Sequence, residues 1–352
     1  MNKVRVKIDI IIPVYNCEQY LDRCMRSLLG QKMQDCLRFI LVDDGSSDGS
    51  GDKIDWYERK YDNVEAVHKK NGGVSSARNA GLKLVENDYF SFVDPDDWVS
   101  DSYFELILEE IQSNNVDILM TPYIGKYEDK EMKNLFLGDE KLLFNKFETK
   151  NKVLRRLYGL KGSELEHPLS IDNISTVWAK VYKSKKYKKI KFVNTSEVSS
   201  EDLWFNINCF ANDDTSEYLN KAFYIYYKEN NSSLVHTYDP NIFNEYINLY
   251  NYMKKFIISE KLSSEFFDAL NNRIVLNELI MLRSIWLSNT SLYNKKLKIH
   301  NLLNKSIYRK AFARFPLKKL PLKYRFFYWA CKKKNSILIM LLLPLGESLK
   351  KK

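Results

Sequence analysis

The chain has 352 residues, of which 45% are hydrophobic and 14% aromatic, so a core can form and a disordered protein is excluded. Five cysteines form no CxxC pair and four histidines are scattered, which excludes the usual zinc spacings; without an N-terminal secretory pattern we expect reduced thiols in a cytosolic protein. Residues 295–352 hold 17 Lys and Arg against one acid, so a strongly basic tail follows a body with a net charge of −6 within the total of +10.

The first hundred residues alternate two hydrophobic patterns. Apolar runs predict strands at residues 4–14, 38–42, 64–67 and 89–93, and helical spacing predicts helices at 18–29, from 48 through 56, and at 75–84. Strands that alternate with helices predict βαβ units and a parallel sheet. Ligands of such sheets bind at the carboxyl ends of the strands.

Polar side chains follow three of these predicted strands. Tyr15 and Asn16 follow the first, Asp43 and Asp44 follow the second, and three carboxylates at 94–97 follow the fourth. We therefore expect a shared site at one edge of the sheet. The chain has neither a GxGxxG nor a GxxxxGK[ST] motif, which disfavours dinucleotide-binding and P-loop proteins.

The turn Asp94-Pro95-Asp96-Asp97 places three carboxylates within four residues. Oxygen ligands on a short turn suit Mg²⁺ or Mn²⁺, often together with the phosphates of a substrate. The alternative is a solvated Asp-Pro-Asp turn without a metal. For Asp97, helix capping before Trp98 and a catalytic role both stay open.

Four segments in this order resemble family 2 glycosyltransferases of bacterial capsular, exopolysaccharide or teichoic-acid type. They are PVYN at 13–16, VDDGSSD at 42–48, NGGVSSARNAGL at 71–82 and DPDD at 94–97. The resemblance is strong over residues 8–105 and looser over 175–235. It implies an α/β GT-A fold with a Rossmann-like mixed, mostly parallel sheet flanked by helices. It also implies a catalytic domain at 1–235, divided into a nucleotide-sugar half (1–105) and an acceptor half (106–235), before a helical region at 236–352.

The resemblance also implies a UDP-sugar site. Its residues are Pro13, Tyr15, Asn16, Asp44, Asn71, Arg78, Asp94 and Pro95, of which Pro13, Tyr15 and Asp44 hold the uracil. Asp94 lies near the ribose, and Asp96, with Asp94 and His236, binds Mg²⁺ or Mn²⁺. A salt bridge from Arg78 to Asp43 or Asp48, and a surface role for His236, are the alternatives.

Beyond residue 100 the pattern predicts a helix at 103–111, a strand at 116–123, a mobile connection or acceptor-side loops at 126–151, and a last strand at 224–227. Glu201 and Asp202 open an apolar helical run, and one explanation of the acid pair is stabilisation by the helix dipole, without a catalytic role. In the resembled family such a pair faces the acceptor. This maps the general base to Asp202, with Glu201 orienting it or binding the acceptor.

Helices are predicted at 242–258 and 266–286, before a tail in which Lys and Arg interleave with aromatic residues. No apolar run is long enough to span a bilayer, so we expect the tail to lie on an anionic membrane surface. Packing of this basic face on the same chain or on a partner subunit is the alternative.

These features predict an inverting, metal-dependent glycosyltransferase on the cytoplasmic face of the membrane. Its acceptor would be a lipid-linked glycan of surface-polysaccharide assembly, such as one carried on undecaprenyl diphosphate; a homo-oligomer stays open. One rival is a nucleic-acid-binding protein that stacks bases on its aromatic tail, although nucleic acid is not the expected partner. The other is an inactive sugar-nucleotide-binding module.

Overall fold

The computed structural model describes residues 5–138, 140–212, 214–229 and 239–348, with side chains as far as residue 344. His236 lies outside the described residues. The chain divides into two compact units, Met1–Leu154 with Ser175–Asn230, and Arg155–Ile174 with Asn231–Lys352. The segment Arg155–Ile174, within the range expected for the catalytic domain, thus belongs to the second unit.

The strands of the described residues lie in the first unit. They are β1 (Ile8–Val14), β2 (Leu37–Asp43), β3 (Val64–His68), β4 (Tyr89–Phe92), β5 (Trp98–Val99), β6 (Ile118–Met120), β7 (Tyr123–Lys126), β8 (Glu131–Asn134), β9 (Leu142–Phe144), β10 (Lys180–Lys183), β11 (Ser216–Tyr218) and β12 (Tyr224–Tyr227).

The helices occur in both units. They are α1 (Glu18–Leu29), α2 (Ser50–Lys60), α3 (Val74–Lys83), α4 (Tyr103–Asn114), α5 (Lys146–Glu148), α6 (Arg155–Tyr158), α7 (Ser184–Tyr187), α8 (Glu201–Phe210), α9 (Ile242–Ser259), α10 (Ser264–Leu287), α11 (Leu292–Leu303), α12 (Ser306–Arg314), α13 (Leu322–Lys332) and α14 (Ser336–Ser348).

Within the described residues, the main sheet has eight strands in the order β3-β2-β1-β4-β10-β6-β11-β9. Strands β1 to β4 are parallel, and β10 pairs antiparallel with both β4 and β6. All seven residues of β1 are buried, as expected for a continuous apolar strand covered on both faces. The predicted mixed, mostly parallel α/β sheet is confirmed.

Helix α3 packs closely on β1. A Cβ atom at Gly81 would collide with Cγ2 of Ile11, so only glycine permits this approach. Arg78 lies one turn earlier on α3, and its side chain is therefore fixed relative to the central strand.

The second sheet has the order β5-β12-β7-β8 and corrects two predictions. The strand predicted at 116–123 is two strands in different sheets, because Pro122 lacks an N–H group and the chain turns there. The segment 126–151, predicted as loops, contains β8, β9 and α5. Strand β8 is largely exposed, which removes the hydrophobic alternation that would have indicated it.

The second unit is helical within its described residues, as predicted for the C-terminal region. The 24-residue α10 packs against α6, α9, α11, α12 and α14. Arg273 on α10 is fully buried and is neutralised by Asp172, whose Oδ1 lies 2.6 Å from Nη1 of Arg273. No helix in the described part of the chain is long and apolar enough to cross a membrane.

Candidate active site

The carboxyl ends of β1, β2 and β4 bring the predicted polar residues to one edge of the sheet. Val14 and Asp43 are register partners, and the backbone N–H of Asp44 donates to the carbonyl of Val14 at 2.8 Å. Strand β4 is parallel to β1 on its other side and leads into the acidic turn at 94–97. The expected juxtaposition follows from the parallel pairing.

Asp44 holds the turn that precedes α3. Its buried carboxylate accepts hydrogen bonds from the backbone N–H groups of Gly72, at 3.1 Å, and Gly73, at 2.7 Å, and from the ammonium of Lys69. Gly45 (φ +74°) lies against this turn, where an added Cβ would be 2.9 Å from the backbone nitrogen of Asn71. Two loops from different strands are thus locked together beside the sheet edge.

The other nucleotide-site candidates surround this edge. Pro13 is buried within β1, and Tyr15 is 52% exposed. Asn16 accepts a hydrogen bond from the backbone N–H of Ser47 at 2.8 Å, which joins the loops after β1 and β2. Asn71 is exposed and Pro95 is half-buried. Tyr15, Asn16 and Asn71 therefore present exposed surface to a ligand, whereas Pro13 is covered within the strand.

Asp97, left without a role by the sequence, is fully buried in the acidic turn. Its carboxylate accepts a hydrogen bond from the hydroxyl of Tyr224 at 2.7 Å and from the backbone N–H of Tyr227 at 2.8 Å. Burial, and then the negative charges of Asp96 and Asp94, raise the pKa of Asp97 well above its usual range. No helix begins at Trp98, which starts β5, so the helix-capping alternative is wrong.

Arg23 supports the same turn from α1. Its Nη2 donates to the carbonyl oxygen of Asp96 at 2.6 Å. The guanidinium lies between two rings, 4.1 Å from the centroid of Trp98 and 4.4 Å from that of Tyr227. These cation–π contacts fix the side chain and, through it, the backbone that carries Asp96.

Arg78 joins acids that are more than a hundred residues apart. Its side chain is 5% exposed; Nη2 lies 3.0 Å from Oδ1 of Asp94, and Nη1 lies 2.7 Å from Oδ1 of Asp202 and 3.2 Å from Oε1 of Glu201. Burial disfavours the charge, but the three carboxylates outweigh it and raise the pKa of Arg78. Arg78 forms these ion pairs and not the alternative ones to Asp43 or Asp48.

Asp202 combines a raised pKa with partial exposure. Burial, with the nearby negative charges of Glu201 and Asp94, raises its pKa to about 7, although Arg78 and the backbone N–H of Val177 act in the opposite direction. Its side chain remains 20% exposed. A partly accessible carboxylate with a pKa near neutrality can accept a proton at physiological pH.

Two buried residues near Asp202 were missed by the sequence analysis. Asn206, one turn along α8, donates to the carbonyl oxygens of Ser175, Thr176 and Asp202 and so holds the loop that contacts Asp202. Lys180 in β10 donates to the carbonyl of Thr176, and burial lowers the pKa of Lys180 to about 7. The available signal was a lysine within the largely apolar run of residues 174–182.

A divalent cation fits the chemistry of the acidic turn. The described residues contain no cluster of three or more His, Cys, Asp or Glu side chains arranged as a metal cage. Mg²⁺ usually takes one or two carboxylates and completes its shell with water and substrate phosphates. Asp94, whose side chain is 25% exposed, and the half-buried Asp96 supply two carboxylates of this kind.

Comparison with known proteins matches the N-terminal part of the chain to a family. Residues 9–161 match the family model described as Glycosyl transferase family 2. The chain carries a family 2 glycosyltransferase domain. This match covers the sheet edge and the acidic turn but ends before Glu201 and Asp202.

Relatives of this glycosyltransferase domain occur in bacteria. The chain is 30% identical to the uncharacterized glycosyltransferase EpsJ of Bacillus subtilis over 234 residues, which cover 66% of this chain and 64% of EpsJ. It is 30% identical to glycosyltransferase GlyA of Streptococcus pneumoniae over 62% of this chain and 30% of GlyA. It is 39% identical to the minor teichoic acid biosynthesis protein GgaB of B. subtilis, over 39% of this chain and 16% of GgaB. The chain thus spans less than two thirds of each of these relatives.

Solved structures support the fold. S. aureus TarS 1-349 in complex with UDP-GlcNAc superposes with a TM-score of 0.66 at 17% identity, over 97% of this chain and 92% of that one. The mannosyltransferase PcManGT of Pyrobaculum calidifontis, in complex with GDP-Man and Mn²⁺, gives a TM-score of 0.52 at 12% identity. The superposition covers 95% of this chain and 88% of that one. The predicted GT-A fold is confirmed.

Proposed function

We propose that the chain transfers a sugar from a UDP-sugar to a hydroxyl of a glycan acceptor, with inversion at the anomeric carbon, in bacterial surface-polysaccharide or teichoic-acid synthesis. The observation that carries the proposal is the contact of one guanidinium, that of Arg78, with both Asp94 and Asp202. It brings a donor-site acid and a candidate base into one cluster, as a single displacement requires. The name of GgaB, a minor teichoic acid biosynthesis protein, supports the biological setting.

On the donor side, exposed Tyr15 provides a surface on which the uracil stacks, and the loop held by Asp44 forms the adjoining wall. Asp94 faces the ribose and the diphosphate, and Asp96 extends the acidic turn beside it. The UDP-GlcNAc and UDP in the TarS structures support a uridine nucleotide.

Asp94 and Asp96 would hold Mg²⁺ or Mn²⁺, and this cation, when bound, supplies positive charge that stabilises the leaving diphosphate. Arg78 is already neutralised by three acids, so it orients those acids instead of providing a free positive charge. The Mn²⁺ in the PcManGT structure supports a divalent cation.

On the acceptor side, Asp202 removes the proton of the attacking hydroxyl as the new bond to the anomeric carbon forms and the bond to the diphosphate oxygen breaks. Attack from the face opposite the leaving group inverts the anomeric configuration. Arg78 and the N–H of Val177 keep the carboxylate in position. Glu201 binds the acceptor or adjusts the basicity of Asp202.

The test is a panel of UDP-sugars, with and without Mn²⁺, on wild type, Asp96→Ala and Asp202→Asn. We expect the wild type to turn over one donor only with the cation. Asp96→Ala should lose the cation dependence, and Asp202→Asn should bind UDP normally while losing turnover.

Full activity in both variants would refute the assignment of these residues. A product that retains the anomeric configuration of the donor would refute the single displacement. UDP binding without turnover of any donor, under all acceptor conditions, would instead indicate a sugar-nucleotide-binding module.

A further inference from the structure

Helix α13 exposes an apolar stripe. Leu322, Phe326 and Trp329 are 78%, 48% and 41% exposed and follow the i, i+4, i+7 spacing that places side chains on one helix face. The rings of Phe326 and Trp329 stack, with centroids 5.8 Å apart and an interplanar angle of 14°. Adjacent exposed groups of this size are unusual on the surface of a monomer, and such patches mark interaction sites.

The opposite face of α13 is firmly anchored. Tyr328 and Cys331 are buried there, and the hydroxyl of Tyr328 donates to the carbonyl of Leu276 on α10 at 2.8 Å. The exposed stripe is therefore the outer face of a docked helix. The neighbouring α14 also exposes apolar residues at i, i+4 spacing, Ile337 at 57% and Leu341 at 62%.

Cations surround the stripe of α13. Lys323 projects on one side of it and Lys332 on the other, at 100° per residue, and the preceding turn carries Lys318 and Lys319. None of these four exposed lysines forms an ion pair with an acid in the described ranges. An unpaired cationic rim around an apolar and aromatic centre is complementary to an anionic surface with a hydrocarbon layer beneath it.

We propose that this face of α13, centred on Leu322, Phe326 and Trp329, docks the protein on an anionic lipid bilayer, with the helix lying in the headgroup layer. At 11 residues α13 is too short to span the bilayer. Trp and Phe suit the interface, and the lysines contact lipid phosphates. The sequence predicted membrane contact for the whole basic tail, and this proposal assigns the contact to one helix face. The proposal does not depend on the proposed sugar transfer.

Other occupants fit less well. A second copy of this chain would bring two strongly basic surfaces together, and their like charges would repel. Single-stranded nucleic acid needs ring faces on which bases can stack, but Phe326 and Trp329 already cover a face of each other. Aliphatic Leu322 offers a base no stacking surface, whereas it fits a lipid layer.

The experiment compares binding of the full chain to phosphatidylcholine vesicles with and without phosphatidylglycerol, by co-sedimentation. We expect binding that requires the anionic lipid, and a loss of about tenfold or more in the triple variant Leu322→Ser/Phe326→Ser/Trp329→Ser. Trp56→Ser is the matched control, because Trp56 is 45% exposed on α2 in the other unit; it should bind as wild type. Lys323→Gln/Lys332→Gln should weaken binding and reduce its salt dependence.

Equal vesicle binding by the wild type and the triple variant, with unchanged melting, would overturn the proposal. So would a wild-type dimer that the triple variant converts to a monomer in the absence of lipid, since the face would then bind a second copy. An oligonucleotide shift abolished by the triple variant, without vesicle binding by the wild type, would also contradict it. UDP-sugar turnover without lipid is measured separately and should be unchanged.

Discussion

The hydroxyl of Tyr224 donates to the carboxylate of Asp97 at 2.7 Å and accepts the backbone N–H of Asp94 at 3.0 Å. A single oxygen on β12 therefore links both ends of the acidic turn. Asp97 is buried, and burial raises its pKa. The hydrogen bonds from Tyr224 and from the N–H of Tyr227 hold its carboxyl group in place. Asp97 positions the turn and is not itself placed to touch a substrate.

Tyr224→Phe removes this link with little change in volume. We expect a loss of about 1–3 kcal/mol in the free energy of unfolding, because two buried polar groups lose a partner. We also expect weaker Mn²⁺-dependent UDP binding, since the turn is no longer held. The measurements are urea unfolding and calorimetric UDP titration. Tyr226→Phe, on the same strand, is the control; equal losses in both variants would rule out the positioning role of Tyr224.

The pH dependence of turnover tests Asp202. A general base must be deprotonated, and burial raises the pKa of Asp202 to about 7. Activity should therefore rise with pH, half-maximal near pH 7, and be lost as pH falls through that value. Asp202→Asn should lower kcat by about 10²- to 10⁴-fold and abolish this limb of the profile. A profile that is flat from pH 5 to 9, on the scale where these groups titrate, would exclude Asp202 as the base.

Removing the charge of Glu201 or of Arg78 should shift the pH at which activity rises, and the two shifts should have opposite signs. Glu201→Gln removes a negative charge that raises the pKa of Asp202, so its profile should shift to lower pH. Arg78→Met removes a positive charge that lowers this pKa, so its profile should shift to higher pH. Shifts of the same sign in both variants, measured as kcat/KM against pH, would contradict electrostatic coupling within the cluster.

We expect Glu278 to make the stability of the second unit pH-dependent. Burial raises the pKa of Glu278 to about 8, and the thiol of Cys331 offsets part of the shift. Between the ordinary glutamate pKa and pH 8 the folded state keeps a proton that the unfolded chain releases. The free energy of unfolding should therefore fall as pH rises through this window, by at most about 1.4 kcal/mol per pH unit.

The side chain in Glu278→Gln is neutral at every pH, so the free energy of unfolding of this variant should depend less on pH. Relative to wild type, its stability should therefore increase as pH rises above about 5. Exposed Glu265 on the same helix pairs with Lys161 at 3.4 Å, and Glu265→Gln should follow the wild-type curve. Chemical unfolding at several pH values measures this. Parallel curves for wild type and Glu278→Gln would show that Glu278 does not carry the effect.

Gly45→Ala tests the loop contact beside Asp44. Alanine there meets both an unfavourable φ of +74° and the backbone nitrogen of Asn71 at 2.9 Å. We expect a destabilisation of about 1–3 kcal/mol and weaker UDP binding. Gly138→Ala is the control, because Gly138 also has a positive φ but open space around it. It should lose some stability and keep its affinity for UDP.

Hydrophobic periodicity in the sequence predicted the buried strands of the main sheet. The buried strands β1, β2 and β4, and with them the edge that carries Asp44 and Asp94, follow from apolar runs and parallel pairing. Strand β8 was missed because it is an exposed edge strand with no hydrophobic signal. The expected acceptor acids were located in the chain by resemblance, but no spacing could predict their pairing with Arg78.

Asn206, Lys180 and Arg23 were missed for a related reason. Each donates to a backbone carbonyl, and carbonyls carry no residue-specific pattern. Their side chains are also ordinary for the segments in which they lie, apart from the lysine within β10. Such supporting contacts arise from tertiary packing, which a single sequence does not display.

The shared guanidinium of Arg78 has a consequence for protein engineering. An acceptor-binding segment transplanted from a relative would retain catalysis only if it delivered its own acid pair to this arginine with the same geometry. Under the proposed function, donor and acceptor preferences are therefore not independently exchangeable. Chimeras joined between α3 and α8 should be active in proportion to how well this one four-residue cluster is rebuilt.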